Sequence, residues 1–319
     1  MKVYSIGTAT LDIFFIVDNF NFLKKLKEKN DIEGYFIDIG GGGLNFAYNF
    51  QKLGLDSIAV IKLGNDFLGR VIRKRIEEKN IKAHIITTKG NSTLSFILLN
   101  KTNGKKYIFT HRGDEIFKVK DIPITHNNAY YIATGRTNIN VWKKITANLK
   151  ENNNFVGVNP SRYFLKNINN LSYFQNIDFL NINFDEASII LGNNNQMTKI
   201  DFLRKLKKHL DFIKYILVTD GNRGAWFLTK DKIFHSSIYK KLKVVDTTGA
   251  GDSFGSTVFA YLVKNKFKED ENLFKLALKS ATFTTAYNLT KIGAQTGILS
   301  INELKKMENK KLKIHIYRL

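Results

Sequence analysis

The stretch that decides the fold is Val245-Asp246-Thr247-Thr248-Gly249-Ala250-Gly251-Asp252-Ser253-Phe254, in which the end of an apolar strand enters a glycine-rich turn. Apolar residues at helical spacing follow from Phe254, so the turn opens a helix. Two glycines let successive backbone N–H groups point outward at the helix amino terminus, where they bind anionic oxygen. Asp252 falls in the first helical turn and can accept a proton from a hydroxyl that attacks phosphorus. On local grounds it is equally an ordinary helix-capping aspartate.

Short apolar runs alternate with helical periods on both sides of this stretch. Such runs between helices are typical of strands in a parallel sheet that is covered on both faces. The sequence therefore predicts an α/β fold with a doubly wound, mostly parallel sheet and helices on both faces, forming a single domain over residues 1–319. The predicted strands are Val3–Ile6, Ser57–Leu63, Tyr130–Ala133, Phe155–Val158, Ile177–Ile182 and Tyr215–Val218.

Two segments break this alternation. Ile13–Val17 is followed, after a lysine-rich stretch, by Tyr35–Ile39, and the runs Leu94–Asn100 and Lys106–Thr110 flank the hairpin signal Asn103-Gly104. They predict a small β lid inserted into the main fold, formed by about residues 12–39 and 92–112. Alternation alone does not distinguish this lid from an ordinary edge hairpin.

Composition excludes several classes of function. The 319 residues contain no cysteine, which excludes disulfides and thiolate chemistry, and the six histidines are scattered rather than paired for metal binding. No apolar run has the roughly 18–20 residues of a membrane span, and the first residues enter a strand without a signal-peptide layout. We therefore expect a cytoplasmic protein that does not associate with membranes.

The chain is strongly basic. Its 50 Lys+Arg residues against 28 Asp+Glu give a net charge of +22, a balance that can indicate nucleic-acid binding. The lysines are, however, spread along the whole chain and occur in helical stretches as solvated faces. On sequence grounds we therefore do not expect nucleic acid as a partner.

A second glycine-rich stretch, Gly40-Gly41-Gly42-Gly43-Leu44-Asn45-Phe46-Ala47, also lies between a predicted strand and a helix. The glycines allow close backbone approach, and Asn45 offers a donor and an acceptor to a polyol. The stretch departs from the dinucleotide fingerprint at Asn45, and the chain has no Walker-type phosphate loop. A flexible linker is the alternative interpretation.

Taken together, the two stretches make the sequence resemble the ribokinase-like carbohydrate kinases of the PfkB family. The resemblance covers about residues 3 to 298, and its motifs follow the order of the family. The matching segments are Gly7 with Asp12, Gly40-Gly41 with Asn45 and Ala47, Asn183-Phe184-Asp185-Glu186, Thr219-Asp220-Gly221-Asn222-Arg223-Gly224-Ala225, Asp246 to Phe254, and Gly293-Ala294.

The resemblance implies an ATP- and Mg²⁺-dependent transfer of the γ-phosphoryl group to a hydroxymethyl group of a small sugar. It implies that Asp252 is the general base and that the amides of Gly249, Ala250 and Gly251 form the anion hole. For the sugar it implies a site of five residues: Asp12, Gly41, Gly42, Asn45 and Arg162.

The same resemblance implies the nucleotide and cation sites. Asn183, Thr219, Gly221 and Gly224 would bind ATP, and Glu186 would act on Mg²⁺ through water. Asp246 and Thr248 would lie near a monovalent cation such as K⁺, and two lids would pair in a homodimer. Locally, Asn183 and Glu186 are equally a helix cap with a helix-dipole acid, and Asp12 equally a turn residue.

One departure concerns charge. Gly42 stands where many sugar kinases of the family have lysine, so a cation is missing there. Arg162, Arg112 and Arg136 are candidates to replace it, although each also suits a surface position.

Two other functions stay open at this stage. A nucleoside kinase on the same fold would need aromatic side chains to stack a base, and the lid offers Phe14, Phe15, Phe96 and Tyr107. The other alternative is a catalytically inactive basic protein that binds RNA or acidic partners.

Overall fold

The computed structural model describes residues 1–25, 27–168, 171–192 and 197–319. The strands are β1 (Val3–Ile6), β2 (Thr10–Val17), β3 (Gly34–Gly40), β4 (Ser57–Gly64), β5 (Ala83–Thr88), β6 (Thr93–Asn100), β7 (Lys106–His111), β8 (Ala129–Ala133), β9 (Phe155–Asn159), β10 (Phe179–Asn183), β11 (Tyr215–Thr219), β12 (Ala225–Leu228), β13 (Lys232–Ser236) and β14 (Ile314–Arg318). The helices are α1 (Gly42–Lys52), α2 (Phe67–Glu78), α3 (Ile139–Glu151), α4 (Arg162–Asn167), α5 (Phe184–Leu191), α6 (Lys199–His209), α7 (Ala250–Lys264), α8 (Glu271–Asn288) and α9 (Ile301–Met307).

The main sheet has the strand order β14-β13-β12-β11-β10-β9-β8-β1-β4-β5. Strands from β11 to β5 pair in parallel, whereas β12, β13 and β14 add an antiparallel edge. The first strand lies between β8 and β4, so the chain order reverses there. In open α/β sheets, ligands bind in the crevice beyond the carboxyl ends of the strands at such a reversal.

Helices cover both faces of this sheet, as the buried strand residues require. Tyr130 and its neighbour Tyr131 are both fully buried but point to opposite faces. Tyr130 stacks on Tyr4 on one face, and Tyr131 packs against Phe46 of α1 and Phe259 of α7 on the other. The predicted doubly wound α/β fold is confirmed.

The second sheet, which we call the lid, has the order β3-β2-β6-β7 and is separate from the main sheet. Its strands come from two insertions, one between β1 and α1 and the other between β5 and β8. The predicted small β lid is therefore present. It rests on the main domain through its inner face, where Phe14 and Phe36 pack against Ile292.

Neighbouring residues of a lid strand point to opposite faces, and this separates the four lid aromatics. Phe14 is fully buried on the inner face, together with Asp12. Phe15 stacks on Phe96 on the outer face, with ring centroids 5.8 Å apart, and Tyr107 shares that face and is exposed. Only one of the four is thus placed toward the main domain.

Among the described residues, no helix is both long and apolar enough to cross a membrane.

Candidate active site

The glycine-rich turn and the helix α7 form as predicted, but the strand predicted to lead into the turn is absent, because residues 237–247 lie in neither a strand nor a helix. The apolar side chains of Leu242 and Val244 line a cleft instead of pairing in the sheet. Gly249 is the N-cap and adopts a left-handed conformation with φ of 74°. A side chain there would also collide with the late Gly-Ala element, because an added Cβ would lie 2.6 Å from that of Ala294. The first turn of a helix leaves its N–H groups without intrahelical partners, so amides of this turn can bind an anion. The Ala250 amide already makes a long contact of 3.4 Å with the Thr247 carbonyl oxygen, which an anion would replace.

Asp252 lies in that first turn and accepts a hydrogen bond from the other glycine-rich stretch. Asn45 of α1 donates from Nδ2 to Oδ2 of Asp252 at 2.8 Å, although the two residues are 207 positions apart. Asp252 is half-buried as a residue, and burial of its carboxyl group raises the pKa above the ordinary value, while the hydrogen bond from Asn45 opposes that shift. The structure therefore brings together Asn45 and Asp252, as a shared substrate and catalytic site requires.

Asn45 is in turn the first link of a polar chain that sequence analysis missed. Gln295 donates from Nε2 to Oδ1 of Asn45 at 3.1 Å, and Lys79 donates to Oε1 of Gln295 at 2.9 Å. Lys79 also forms an ion pair with Asp38 at 2.7 Å. Gln295 directly follows the recognised Gly293-Ala294 pair, which was the available signal. Lys79 follows the end of α2, and no sequence pattern indicated a role for it.

Asp12 lies on the inner face of the lid, within β2 rather than in a turn. Its carboxylate is buried and accepts a hydrogen bond from Thr10 Oγ1 at 2.7 Å. Burial raises the pKa of Asp12 to about 6, and the nearby carboxylates of Asp38 and Asp246 add to the rise. Gly40 allows this position, because an added Cβ there would lie 2.1 Å from Asp12 Oδ2.

The remaining glycines and arginines are placed as follows. Gly41 is the N-cap of α1 with φ of 89°, and Gly42 begins that helix. A Cβ at Gly42 would lie 2.6 Å from that of Ala133, so the backbone leaves little space for a lysine there.

The three arginines proposed to replace that lysine each have another position. Arg112 pairs with Glu115 at 2.9 Å, Arg136 lies over the ring of Tyr163, and Arg162 is exposed at the start of α4.

A cleft of about 350 Å³ extends from the glycine-rich turn and is within the size range of small-molecule sites. It joins two predicted elements, since Thr219, Gly221 and Gly224 line it together with Ala250 and Gly251. The other lining residues are largely apolar. Asn222 belongs to the same turn as Gly221 and Gly224, and the rest come from the 237–247 segment, from α7 and from α8 with its C-cap: Ser237, Ile238, Tyr239, Leu242, Val244, Thr247, Phe254, Thr282, Thr285, Ala286 and Leu289.

This geometry agrees with comparisons of the whole chain. The sequence pattern of the "pfkB family carbohydrate kinase" group matches residues 1–297. The chain belongs to the PfkB family. It is accordingly an ATP-dependent kinase of the sugar and nucleoside class.

Relatives within the PfkB family differ in the substrates that their names state. A ribokinase of Dictyostelium discoideum is 26% identical and is matched over 94% of this chain and 98% of its own length. A nucleoside kinase of Methanocaldococcus jannaschii is 24% identical, over 82% of this chain and 84% of its own. The structure of a Giardia lamblia ribokinase superposes with a TM-score of 0.80 at 18% identity, covering 97% and 98% of the two chains, and supports the fold.

In this PfkB chain, Asn183, which family resemblance assigns to ATP binding, forms a capping box with Glu186, which it assigns to Mg²⁺ through water. Asn183 Oδ1 accepts from the Glu186 amide at 2.9 Å, and Glu186 Oε2 accepts from the Asn183 amide at 2.8 Å. Burial raises the pKa of Glu186, against the opposing effects of the Asn183 amide and Arg162. One oxygen of Glu186 is left over, which suits Mg²⁺ because this ion keeps several waters and takes other ligands from phosphates. In the described ranges, no cluster of three acidic or histidine residues offers a fuller cage.

A lysine ammonium group occupies the position between Asp246 and Thr248. Lys106 of β7 donates from Nζ to Asp246 Oδ1 at 2.9 Å and also to Thr248 Oγ1. Burial alone would raise the pKa of Asp246, yet it is lowered, because the Gly293 amide, Lys106 and Thr248 stabilise the carboxylate. Lys106 was missed by sequence analysis, in which it was only the first residue of a hairpin strand.

Proposed function

We propose that this PfkB-family kinase transfers the γ-phosphoryl group of MgATP to a hydroxymethyl group of a small sugar. The observation that carries the proposal is the position of Asp252, which accepts a hydrogen bond from Asn45 and directly follows Ala250 and Gly251, two residues that line the cleft. The sugar would lie between Asp12, Asn45 and the inner face of the lid. The nucleotide would lie in the 350 Å³ cleft, with its phosphates toward Gly249–Gly251.

The chemistry then follows from the groups that meet at this point. Asp252 accepts the hydroxyl proton while the hydroxyl oxygen bonds to the γ-phosphorus and the bond to the β-phosphate oxygen breaks. The amides of the 249–251 turn hold the phosphoryl oxygens as charge develops. Bound Mg²⁺ would neutralise the phosphate charges, and Glu186 would hold the ion through water. Asp12 and Asn45 orient the acceptor, and the lid excludes the water that would otherwise hydrolyse ATP.

The nucleoside alternative is less well supported by the lid. Phe15, Phe96 and Tyr107 lie on its outer face, and the inner aromatic residue Phe14 is fully buried against Ile97 and Leu99. A base-stacking platform is therefore not formed by these residues. The relationship to the Methanocaldococcus jannaschii enzyme nevertheless keeps nucleosides in the acceptor set to be tested.

The test is a coupled ADP-release assay with a panel of pentoses, hexoses and nucleosides, combined with thermal shifts of the protein with an ATP analogue. We expect turnover with a sugar that carries a free hydroxymethyl group. Turnover with nucleosides alone would replace the proposal with the nucleoside alternative. No stimulated turnover, together with tight, steeply salt-dependent polynucleotide binding, would instead favour the basic-protein alternative.

The raised pKa of Asp12 gives a pH prediction. An acid with a pKa of about 6 is ionised above that pH, so its ability to accept sugar hydroxyls is present at neutral pH and lost on acidification. We expect the Kd of the sugar, measured by calorimetry without nucleotide, to rise about tenfold between about pH 7 and about pH 5. In Asp12→Asn the affinity should be low throughout and independent of pH. A wild-type Kd that stays constant over this range would contradict the assignment.

The outer face of the lid gives a second prediction. Tyr35, Phe96, Tyr107 and Phe109 line this face, and Phe109 is 63% exposed. Contiguous exposed aromatic residues of this kind mark interaction surfaces, and we propose that two lids pair in a homodimer. Sedimentation should show a dimer that Phe109→Asp converts to monomer. Phe67→Asp is the matched control, because Phe67 is 67% exposed outside the lid. A wild-type protein that sediments only as a monomer would exclude this pairing.

A further inference from the structure

Lys106 contacts Asp246 and Thr248, the two residues near which family resemblance implies a monovalent cation. A carboxylate and a hydroxyl oxygen are suitable ligands for such an ion. Here the Asp246 side chain is fully buried and the ammonium group of Lys106, whose side chain is 16% exposed, already lies against it. The residues present therefore do not fit an additional cation at this point, because a second positive charge in contact with the same oxygens would be repelled.

The other bonds of Asp246 are also satisfied. Its Oδ1 accepts from the amide and hydroxyl of Thr248 at 2.9 and 2.7 Å, and its Oδ2 accepts from the Gly293 amide at 3.0 Å. A buried carboxylate needs a counter-charge as well as hydrogen bonds. Lys106 provides that charge, so this part of the site is complete without an ion from solution.

The lysine is held in place by the lid hairpin. Asn100 caps the hairpin turn by accepting, through Oδ1, from the amides of Thr102 and Asn103. The turn then packs on the segment that leads to Asp246, since an added Cβ on Gly104 would lie 3.0 Å from the Val245 carbonyl oxygen. The position of the ammonium group is thus fixed by the contact between the lid and the segment that precedes the anion hole.

We propose that the Lys106 ammonium group replaces the monovalent cation in this kinase, so that the 246–251 turn is ordered by a charge delivered from the lid and not by K⁺. This inference rests on the proposed function for its effect on turnover, but not for its effect on stability. An ammonium group and K⁺ carry the same charge and have similar size, and the lysine group adds directed hydrogen bonds to both oxygens.

The test compares wild type, Lys106→Ala and the matched control Lys105→Ala in KCl and in choline chloride at equal ionic strength. Lys105 is the adjacent lysine of the same hairpin, and its side chain is exposed. Melting temperature is the first readout, because it does not depend on phosphotransfer. We expect wild type and Lys105→Ala to melt at the same temperature in both salts. Lys106→Ala should melt at least about 3 °C lower in choline and recover most of this loss in KCl.

The second readout is ADP release with the sugar found in the acceptor screen. Wild-type kcat should differ by less than about twofold between the two salts, and Lys106→Ala should be stimulated about tenfold or more by K⁺. The proposal is overturned if wild type is itself stimulated tenfold by K⁺, or if its melting temperature rises with K⁺. The proposal is also overturned if Lys106→Ala folds and shows the same melting temperature and the same kcat in KCl and in choline chloride. If the variant does not fold, the wild-type comparison alone decides. Failure of turnover with an intact melting pattern would instead count against the proposed function.

Discussion

Asp252→Asn is expected to lower kcat by about 10²–10⁴-fold, the typical contribution of a general base, while leaving the Kd values of sugar and ATP analogue nearly unchanged. Asparagine keeps the size of the side chain, and its amide oxygen can still accept the 2.8 Å hydrogen bond from Asn45. What it loses is the ability to take a proton from the attacking hydroxyl. Steady-state ADP release gives kcat, and calorimetry gives the two affinities.

The matched control for this substitution is Asp56→Asn, which removes the carboxylate of a surface pair with Lys82 at 2.7 Å. Exposed pairs of this kind contribute little to stability, so kcat should stay at the wild-type level. A kcat of Asp252→Asn within a few-fold of wild type would remove Asp252 from the catalytic role. A loss confined to the Kd of the sugar would make it a binding residue instead.

Much of this site could be predicted because its elements carry local patterns. The 246–254 stretch combines glycines with a helix start, and each of these constrains the backbone on its own, whereas the strand end predicted before Asp246 is absent from the structure. The Asn45–Asp252 contact joins residues 207 positions apart, and the two residues were assigned to one site only because their stretches match two motifs of the same family. Local geometry alone would not have paired them.

The residues that were missed are single polar side chains without a pattern. Lys79, Gln295 and Lys106 act through contacts set by the packing of distant elements, and nothing in their neighbouring sequence indicates those partners. Lys79 and Lys106 show the consequence. The charge absent at Gly42 led to three arginines as candidates, whereas the lysines that contact residues of the site are Lys79, through Gln295, and Lys106, at Asp246.

The assignment of the lid aromatics could have been sharper from sequence. Phe14 and Phe15 are neighbours in a strand, so they had to point to opposite faces, and at most one of them could reach the substrate. Which face would be inner depended on Asp12, which shares its face with Phe14. At Asn183 and Glu186, by contrast, the helix-capping interpretation describes the observed contacts, and a water-mediated role for Glu186 is compatible with it.

The anion hole gives the other large expected effect, for Gly249→Ala. Two physical costs coincide at this position: a left-handed φ of 74° disfavours any side chain, and the new Cβ would lie 2.6 Å from that of Ala294. The left-handed conformation alone costs roughly 1–2 kcal/mol. Because the turn must shift to relieve the contact, its amides move away from the transferred group. Loss of one such donor lowers kcat by about 10²–10³-fold.

Two further variants separate strain from a general effect of an added methyl group. Gly251→Ala places its Cβ in open space, with no atom within 4 Å, so its free energy of unfolding in urea should be no lower than that of wild type, because alanine is favoured over glycine in a helix. Gly249→Ala combined with Ala294→Gly removes the colliding Cβ but keeps the unfavourable φ, and should recover part of the lost kcat and stability. If Gly249→Ala unfolds at the wild-type urea concentration and retains wild-type kcat, the turn is neither strained nor positioned as an anion hole. The phosphate contacts would then have to come from elsewhere in the cleft.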